Sequence, residues 1–140
     1  RGFFKEVEKK KNINKKFIFD CFSFSKKNTL RGLHLQKRKE QAKIITVTQG
    51  KILDVVVDLR KNSKTFGKYY AITLSDQNST SLYIPAGFAH GFCSLSKDNL
   101  VLYGFTNYRS KNNEVGILWN DDYINIKWLP DGYCECFEDN

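Results

Sequence analysis

The chain has 140 residues, 41% of them hydrophobic and 14% aromatic, enough for one buried core and too few for two. That composition excludes a disordered chain, and with no apolar run of eighteen residues a membrane-spanning helix is not expected. The net charge of +8 suits a polyanionic partner (nucleic acid, acidic membrane or small phosphorylated ligand), or simply decorates solvated faces.

Four cysteines (Cys21, Cys93, Cys134 and Cys136) and two histidines (His34 and His90) show no CxxC pair and no ligand spacing for zinc, so no metal site is expected and the thiols read as free. No basic-then-apolar leader follows Arg1, and a cytoplasmic location is the expectation. The basic residues cluster in 5–16 and 37–39 without an RNP-like or helix-turn-helix signature, so nucleic acid is not the expected partner, and neither is a membrane.

In chain order, 5–16 is charge-dense without apolar periodicity and reads as an exposed connection. Strands are then predicted over 16–22, 43–49, 51–60, 68–74, 81–84 and 100–107, short runs rich in Val, Ile, Phe, Tyr and Thr. Turn-formers at 49–50, 75–78, 85–87 and 96–99 punctuate them. Nothing reads as a long amphipathic helix, so the fold class is all-β, a sandwich or barrel. One domain over 1–140 is expected: a connection (1–16), a core (17–128) and a tail (129–140).

Period-two alternation sorts the side chains. In 51–60, Leu53, Val55, Val57 and Leu59 share one face, while Ile52, Asp54, Val56 and Asp58 share the other. His34 points away from Leu33 and Leu35. Lys43 lies with Ile45 and Val47. Three strands thus carry an ionisable residue among apolar neighbours, which fits a barrel with a polar pocket in its lumen. A structural ion pair of Asp54 with Lys43, or an exposed face, fits the same pattern.

Several stretches are then recognisable in order: Arg1-Gly-Phe-Phe4, Leu30-Arg-Gly-Leu-His34-Leu-Gln36, Gln41-Ala-Lys43, 53–60, Thr65-Phe-Gly67, Ile84-Pro-Ala-Gly-Phe-Ala-His90-Gly-Phe92, and Leu102-Tyr103 followed by Ile117-Leu-Trp-Asn-Asp121. Together they resemble the dTDP-4-dehydrorhamnose 3,5-epimerase family, a metal-independent branch of the cupins. The resemblance implies a jelly-roll barrel, a homodimer with an exchanged N-terminal strand, and no cofactor. It also implies inversion at C3 and/or C5 of a nucleoside-diphosphate 4-keto-6-deoxy sugar, supplying deoxysugars for surface polysaccharide.

That chemistry needs a base near neutral pKa, a cation at the enolate oxygen and an acid on the opposite face of the ring. His34, Lys43 and Tyr103 match those roles. Asp54, expected on the lumen face near His34, and Asp139, near the end of the chain, are the two candidate carboxylates to orient the His34 imidazole. For substrate binding the resemblance implies Arg31 on the pyrophosphate, Arg1 and Glu6 on the partner subunit's nucleotide, Tyr108 near the base, Gln36 on the His34 strand and His90 as a second pocket histidine.

The chain departs from the family pattern in three places. Phe19-Asp20-Cys21-Phe22-Ser23 stands where the family reads Gln-Asp-Asn-His-Ser, which leaves the nucleotide open. The stretch between the RGFF and RGLH motifs is shorter than usual. No Ser-x-Lys-Asp closes the chain, and Asp139 is the acidic residue nearest that place. The alternatives are a 3,4-ketoisomerase of the same cupin group, which would show a histidine pair where this chain has His34-Leu-Gln36, and a non-catalytic nucleotide-sugar-binding cupin.

Overall fold

The structure, a computed structural model, describes residues 2–7, 9, 11, 13–129 and the backbone of 135–136. Its strands are β1 (Phe19–Lys26), β2 (Thr29–Gln36), β3 (Lys43–Gln49), β4 (Lys51–Asp58), β5 (Tyr69–Ser75), β6 (Leu82–Ile84), β7 (Phe88–Ser94), β8 (Asp98–Phe105), β9 (Glu114–Gly116) and β10 (Glu135–Cys136). One 3-10 turn, Lys111–Asn113, precedes β9. No helix among the described residues is long and apolar enough to cross a membrane. The all-β prediction holds.

Two sheets face each other, β1-β8-β3-β6 and β10-β2-β7-β4-β5, with β9 added to the β2 edge. All pairings are antiparallel except β10 on β2. The chain changes sheet at every connection between β1 and β8 except β4 to β5. Sequence neighbours therefore end up facing one another across a lumen, as in a cupin jelly roll.

The β4 alternation reads directly into this architecture. Ile52 and Val56 point inward and pack with Ile45, Val47, Leu74, Phe92 and Val101 in one closed cluster. Val55 and Val57 point outward and join Leu30, Leu33 and Ala89, a second cluster that Trp119, Ile124, Ile126 and Trp128 cover from outside. Trp128 Nε1 donates to the Trp119 carbonyl at 2.8 Å, satisfying the indole in that cover. Strand β4 is flanked by β7 and β5 and buried on both faces. Its run of apolar residues reflects that, with Asp54 and the terminal Asp58 the buried exceptions.

Cys93 belongs to the outer cluster and is disulfide-bonded. This corrects the expectation of four free thiols; its partner side chain lies outside the described residues. Linear spacing does not reveal which cysteines meet across strands.

Two glycines hold positions that a Cβ would block, one at a sheet crossing and one within β2. Gly50 alone links β3 to β4 at φ +87°, and a Cβ there would stand 2.4 Å from the Asp98 carbonyl oxygen. Gly32, at φ +99°, lies against β7 so closely that a Cβ would meet the His90 carbonyl oxygen at 2.5 Å. Around Gly32 the β2–β7 ladder shifts register: Arg31 faces Phe92, yet His34 faces His90. Gly32 and Leu33 thus oppose the single residue Gly91, which is a β-bulge. Without it, Arg31 and His34, three residues apart, would point to opposite faces. With it, both line the lumen.

Gly32→Ala is therefore expected to cost about 1–3 kcal/mol from backbone conformation alone, plus the clash with β7. Chemical denaturation of the two proteins checks this, and an unchanged midpoint would count against the bulge as the feature that aims Arg31 and His34.

Candidate functional site

One part of the lumen is filled by apolar side chains, and the other opens into a cavity of about 380 Å³. That size falls within the range of small-molecule sites, about 300–1,000 Å³. Of the expected site residues, His34, Lys43, Tyr103, Arg31, Gln36 and His90 all line it. His34 comes from β2 and His90 from β7 in the larger sheet. Lys43 from β3 and Tyr103 from β8 face them from the smaller one.

Asp54 has no exposed surface, and its Oδ2 lies 2.8 Å from His90 Nε2. The expectation that Asp54 orients His34 is thereby corrected. The strand order β2-β7-β4 puts His90 between them, and His90 takes the carboxylate. Alternation gave the right face and the wrong partner. Burial raises the Asp54 carboxyl above its usual value, against the pull of the His90 imidazole and the Lys43 ammonium.

Lys43 is shaped by the same forces. Burial lowers its ammonium from 10.5 to about 8, opposed by the negative charges of Asp54 and Glu114 and by Cys21. Its Nζ lies 5.9 Å from the centroid of the Phe105 ring. Burial pushes the Tyr103 phenol well above its usual value, with the Ser23 hydrogen bond and the charge of Arg31 pulling the other way. The phenol and Ser23 hydroxyls stand 2.8 Å apart, and the Tyr103 ring stacks on Phe105 at 6.0 Å with its other contact an edge to His90 at 6.5 Å.

Arg31 is held by the strand it faces. Its Nε donates to Ser25 Oγ at 2.8 Å and its Nη2 to the Phe24 carbonyl at 3.2 Å. Gln36 is committed internally: Nε2 donates to the Lys39 and Tyr108 carbonyls, and Oε1 accepts from the Ser110 amide at 2.6 Å. It anchors the 37–40 and 107–110 segments at the rim.

Tyr108 is 61% exposed and does not line the cavity; its ring lies 6.0 Å from that of Phe19, which does. Glu6 is exposed, pairs with Lys9 at 3.1 Å and stands apart from the cavity within a single chain. Arg1 and Asp139 lie outside the described residues.

Among the polar cavity residues, Ser23, Gln41, Arg109 and Glu114 were given no role by sequence reasoning, although Ser23 and Gln41 stand in stretches compared with the family pattern. Arg109 donates to Glu114 at 2.9 Å, and those hydrogen bonds hold the carboxyl below its usual range. Glu114 sits on β9, diagonal to His34 across the β2–β9 ladder, and its carboxyl also feels the charges of His34 and Lys43. The 3-10 turn between Arg109 and Glu114 has no periodicity to read. Ser23 was legible in principle, since Phe19, Cys21, Ser23 and Ser25 alternate inward along β1. Among the described residues no three His, Cys, Asp or Glu side chains converge on a common point as metal ligands would.

Comparison with known proteins agrees with this fold. The family model for dTDP-4-dehydrorhamnose 3,5-epimerase matches residues 1–138. A dTDP-4-dehydrorhamnose 3,5-epimerase of Salmonella typhimurium is 46% identical over 135 residues, 91% of this chain and 74% of that protein. Among solved structures, the Bacillus anthracis enzyme with TDP and pyrophosphate bound superposes with a TM-score of 0.91 at 42% identity, covering 97% of this chain and 81% of that one. A dTDP-6-deoxy-D-glucose-3,5-epimerase of Legionella pneumophila in complex with dTDP-4-keto-L-rhamnose gives 0.91 at 37% identity, covering 97% and 76%. A barrel whose two sheets meet over one polar cavity, matched along nearly its whole length in sequence and in shape, places the chain in the dTDP-4-dehydrorhamnose 3,5-epimerase family.

Proposed function

We propose that the chain epimerises a nucleoside-diphosphate 4-keto-6-deoxyhexose at C3 and/or C5, with the dTDP sugar of its relatives as the first substrate to test. The observation that carries this reading is the placement of His34 on one sheet and of Lys43 and Tyr103 on the other, around a single cavity. Inversion of a carbon needs a proton removed from one face of the ring and another returned to the opposite face. Groups on facing sheets meet that requirement.

In this mechanism His34 takes the proton from the carbon beside the ketone. The C–H electron pair moves into the ring and leaves negative charge on the ketone oxygen, where the Lys43 ammonium balances it. Tyr103 then gives its proton to the carbon from the other side, and solvent resets the imidazolium and the phenolate. Burial keeps Tyr103 protonated until an acceptor as basic as the enolate carbon is present. Arg31, fixed by Ser25 and Phe24, offers its guanidinium to the diphosphate. His90, locked to Asp54, forms a rigid floor beside the sugar.

The same reading includes a homodimer. Phe3 and Phe4 are 89% and 94% exposed in a single chain, aromatic surface that a second subunit would cover. A sedimentation mass of two chains is expected, and the mass of one would overturn this part.

His34→Asn is expected to cut deuterium exchange at the ring carbons in D2O by about 10²–10⁴-fold. Tyr103→Phe should leave exchange partly intact while slowing inversion. Unchanged exchange in the His34 variant would remove the base from the proposal.

The pH profile gives an independent check. Lys43 acts as a cation, and its ammonium is lost as pH rises through about 8. The rate kcat/KM should therefore fall on the alkaline side with a midpoint near 8. Lys43→Arg, charged at all accessible pH, should lower the rate and remove that limb. A limb unmoved in the arginine variant would assign it to another group.

A further inference from the structure

We infer that Ser23 is a positioning residue for Tyr103: its hydroxyl donates to the phenol oxygen, leaves the phenol's own proton aimed into the cavity, and holds the phenolate formed when that proton goes to carbon. This rests on the proposed reading of Tyr103 as the acid.

The geometry comes from β1. Phe19, Cys21, Ser23 and Ser25 point inward in turn, while Asp20, Phe22, Phe24 and Lys26 face out. In the β1–β8 ladder Cys21 opposes Tyr103 and Ser23 opposes Val101, so Ser23 and Tyr103 are diagonal neighbours on the lumen face. Their oxygens lie 2.8 Å apart. The phenol ring is otherwise packed by Phe105 and His90, and Ser23 is its side-chain hydrogen-bond partner among the described residues. Ser25, the next inward position, is occupied by Arg31 Nε. The two serines therefore serve different groups.

A phenol has one proton. If it donated to Ser23, none would face the sugar, so a productive acid requires Ser23 to be the donor. Once the proton has left for carbon, the phenolate can only accept, and Ser23 is already in place. A hydrogen bond to a buried charged group corresponds to about 10- to 100-fold in rate.

The test separates proton removal from proton return. In D2O, deuterium in recovered substrate reports removal and return on the same face by His34, whereas product reports return by Tyr103. With a 4-keto-6-deoxy sugar on dTDP, Ser23→Ala is expected to slow inversion about 10- to 100-fold and to raise the ratio of substrate deuteration to product by a similar factor. Ser23→Thr, which keeps the hydroxyl, should restore the wild-type ratio. If the alanine variant does not fold by thermal melting, Ser23→Cys, a weaker donor, must give a raised ratio instead. A wild-type ratio in the alanine or cysteine variant would overturn the assignment, as would a folded threonine variant that leaves the ratio raised. No exchange or inversion by the wild-type chain would overturn the epimerase reading, and the Ser23 assignment with it.

Discussion

A carboxylate with no exposed surface sits where the packed part of the barrel gives way to its open part. Asp54 lies between the inward-facing Ile52 and Val56 along β4, and reaches the cavity only through His90, which lines it. An isolated charge there would be costly, and breaking such a buried pair typically costs about 3–5 kcal/mol. The Asp54–His90 hydrogen bond is what makes the position tolerable. One carboxylate oxygen is satisfied by it; Oδ1 has no hydrogen-bond partner among the described residues. The pair fixes the imidazole of His90 on β7, and β7 in turn carries the register that presents His34 on β2.

The electrostatics of the cavity follow from the same enclosure. Burial depresses the ammonium of Lys43 and elevates the phenol of Tyr103, each toward its neutral form. Asp54 and Glu114 draw Lys43 back toward charge. The site thus holds one cation close to neutrality, where small changes in nearby negative charge decide its state. A bound diphosphate and a developing enolate are changes of that sign.

Much of this was legible in the chain because residue parity assigns the faces of two strands, β3 as far as Val47 and β4 throughout. β3 begins and ends where its sequence pattern does, and the inward set on β4, with Asp54 included, is the one that parity assigns. The apolar pattern predicts β1 at 16–22, whereas it runs Phe19–Lys26, because its inward residues past Cys21 are serines and carry no apolar signal. Strand β8 starts at Asp98, inside a stretch that reads as a turn: Asn99 turns inward and spends its amide on the Ser25 and Ser96 carbonyls. Strand β2 defeats parity altogether, since Arg31 and His34 share a face only through the extra residue at the bulge. The partner of Asp54 depends on which strand lies between two others, and that is a property of topology that no local pattern contains.

The division of the site between two sheets has a consequence for how the protein could be tuned. His34 stands on one wall and Tyr103 with Lys43 on the other, so the gap between His34 and Tyr103 is set by the thickness of the aliphatic layer wedged between those walls, Val47, Val101 and Ile52. A methylene added or lost in that layer acts as a shim. Residues that never touch a sugar thus govern how wide a ring the jaws accept, and packing density and reach across the ring become a single adjustable dimension.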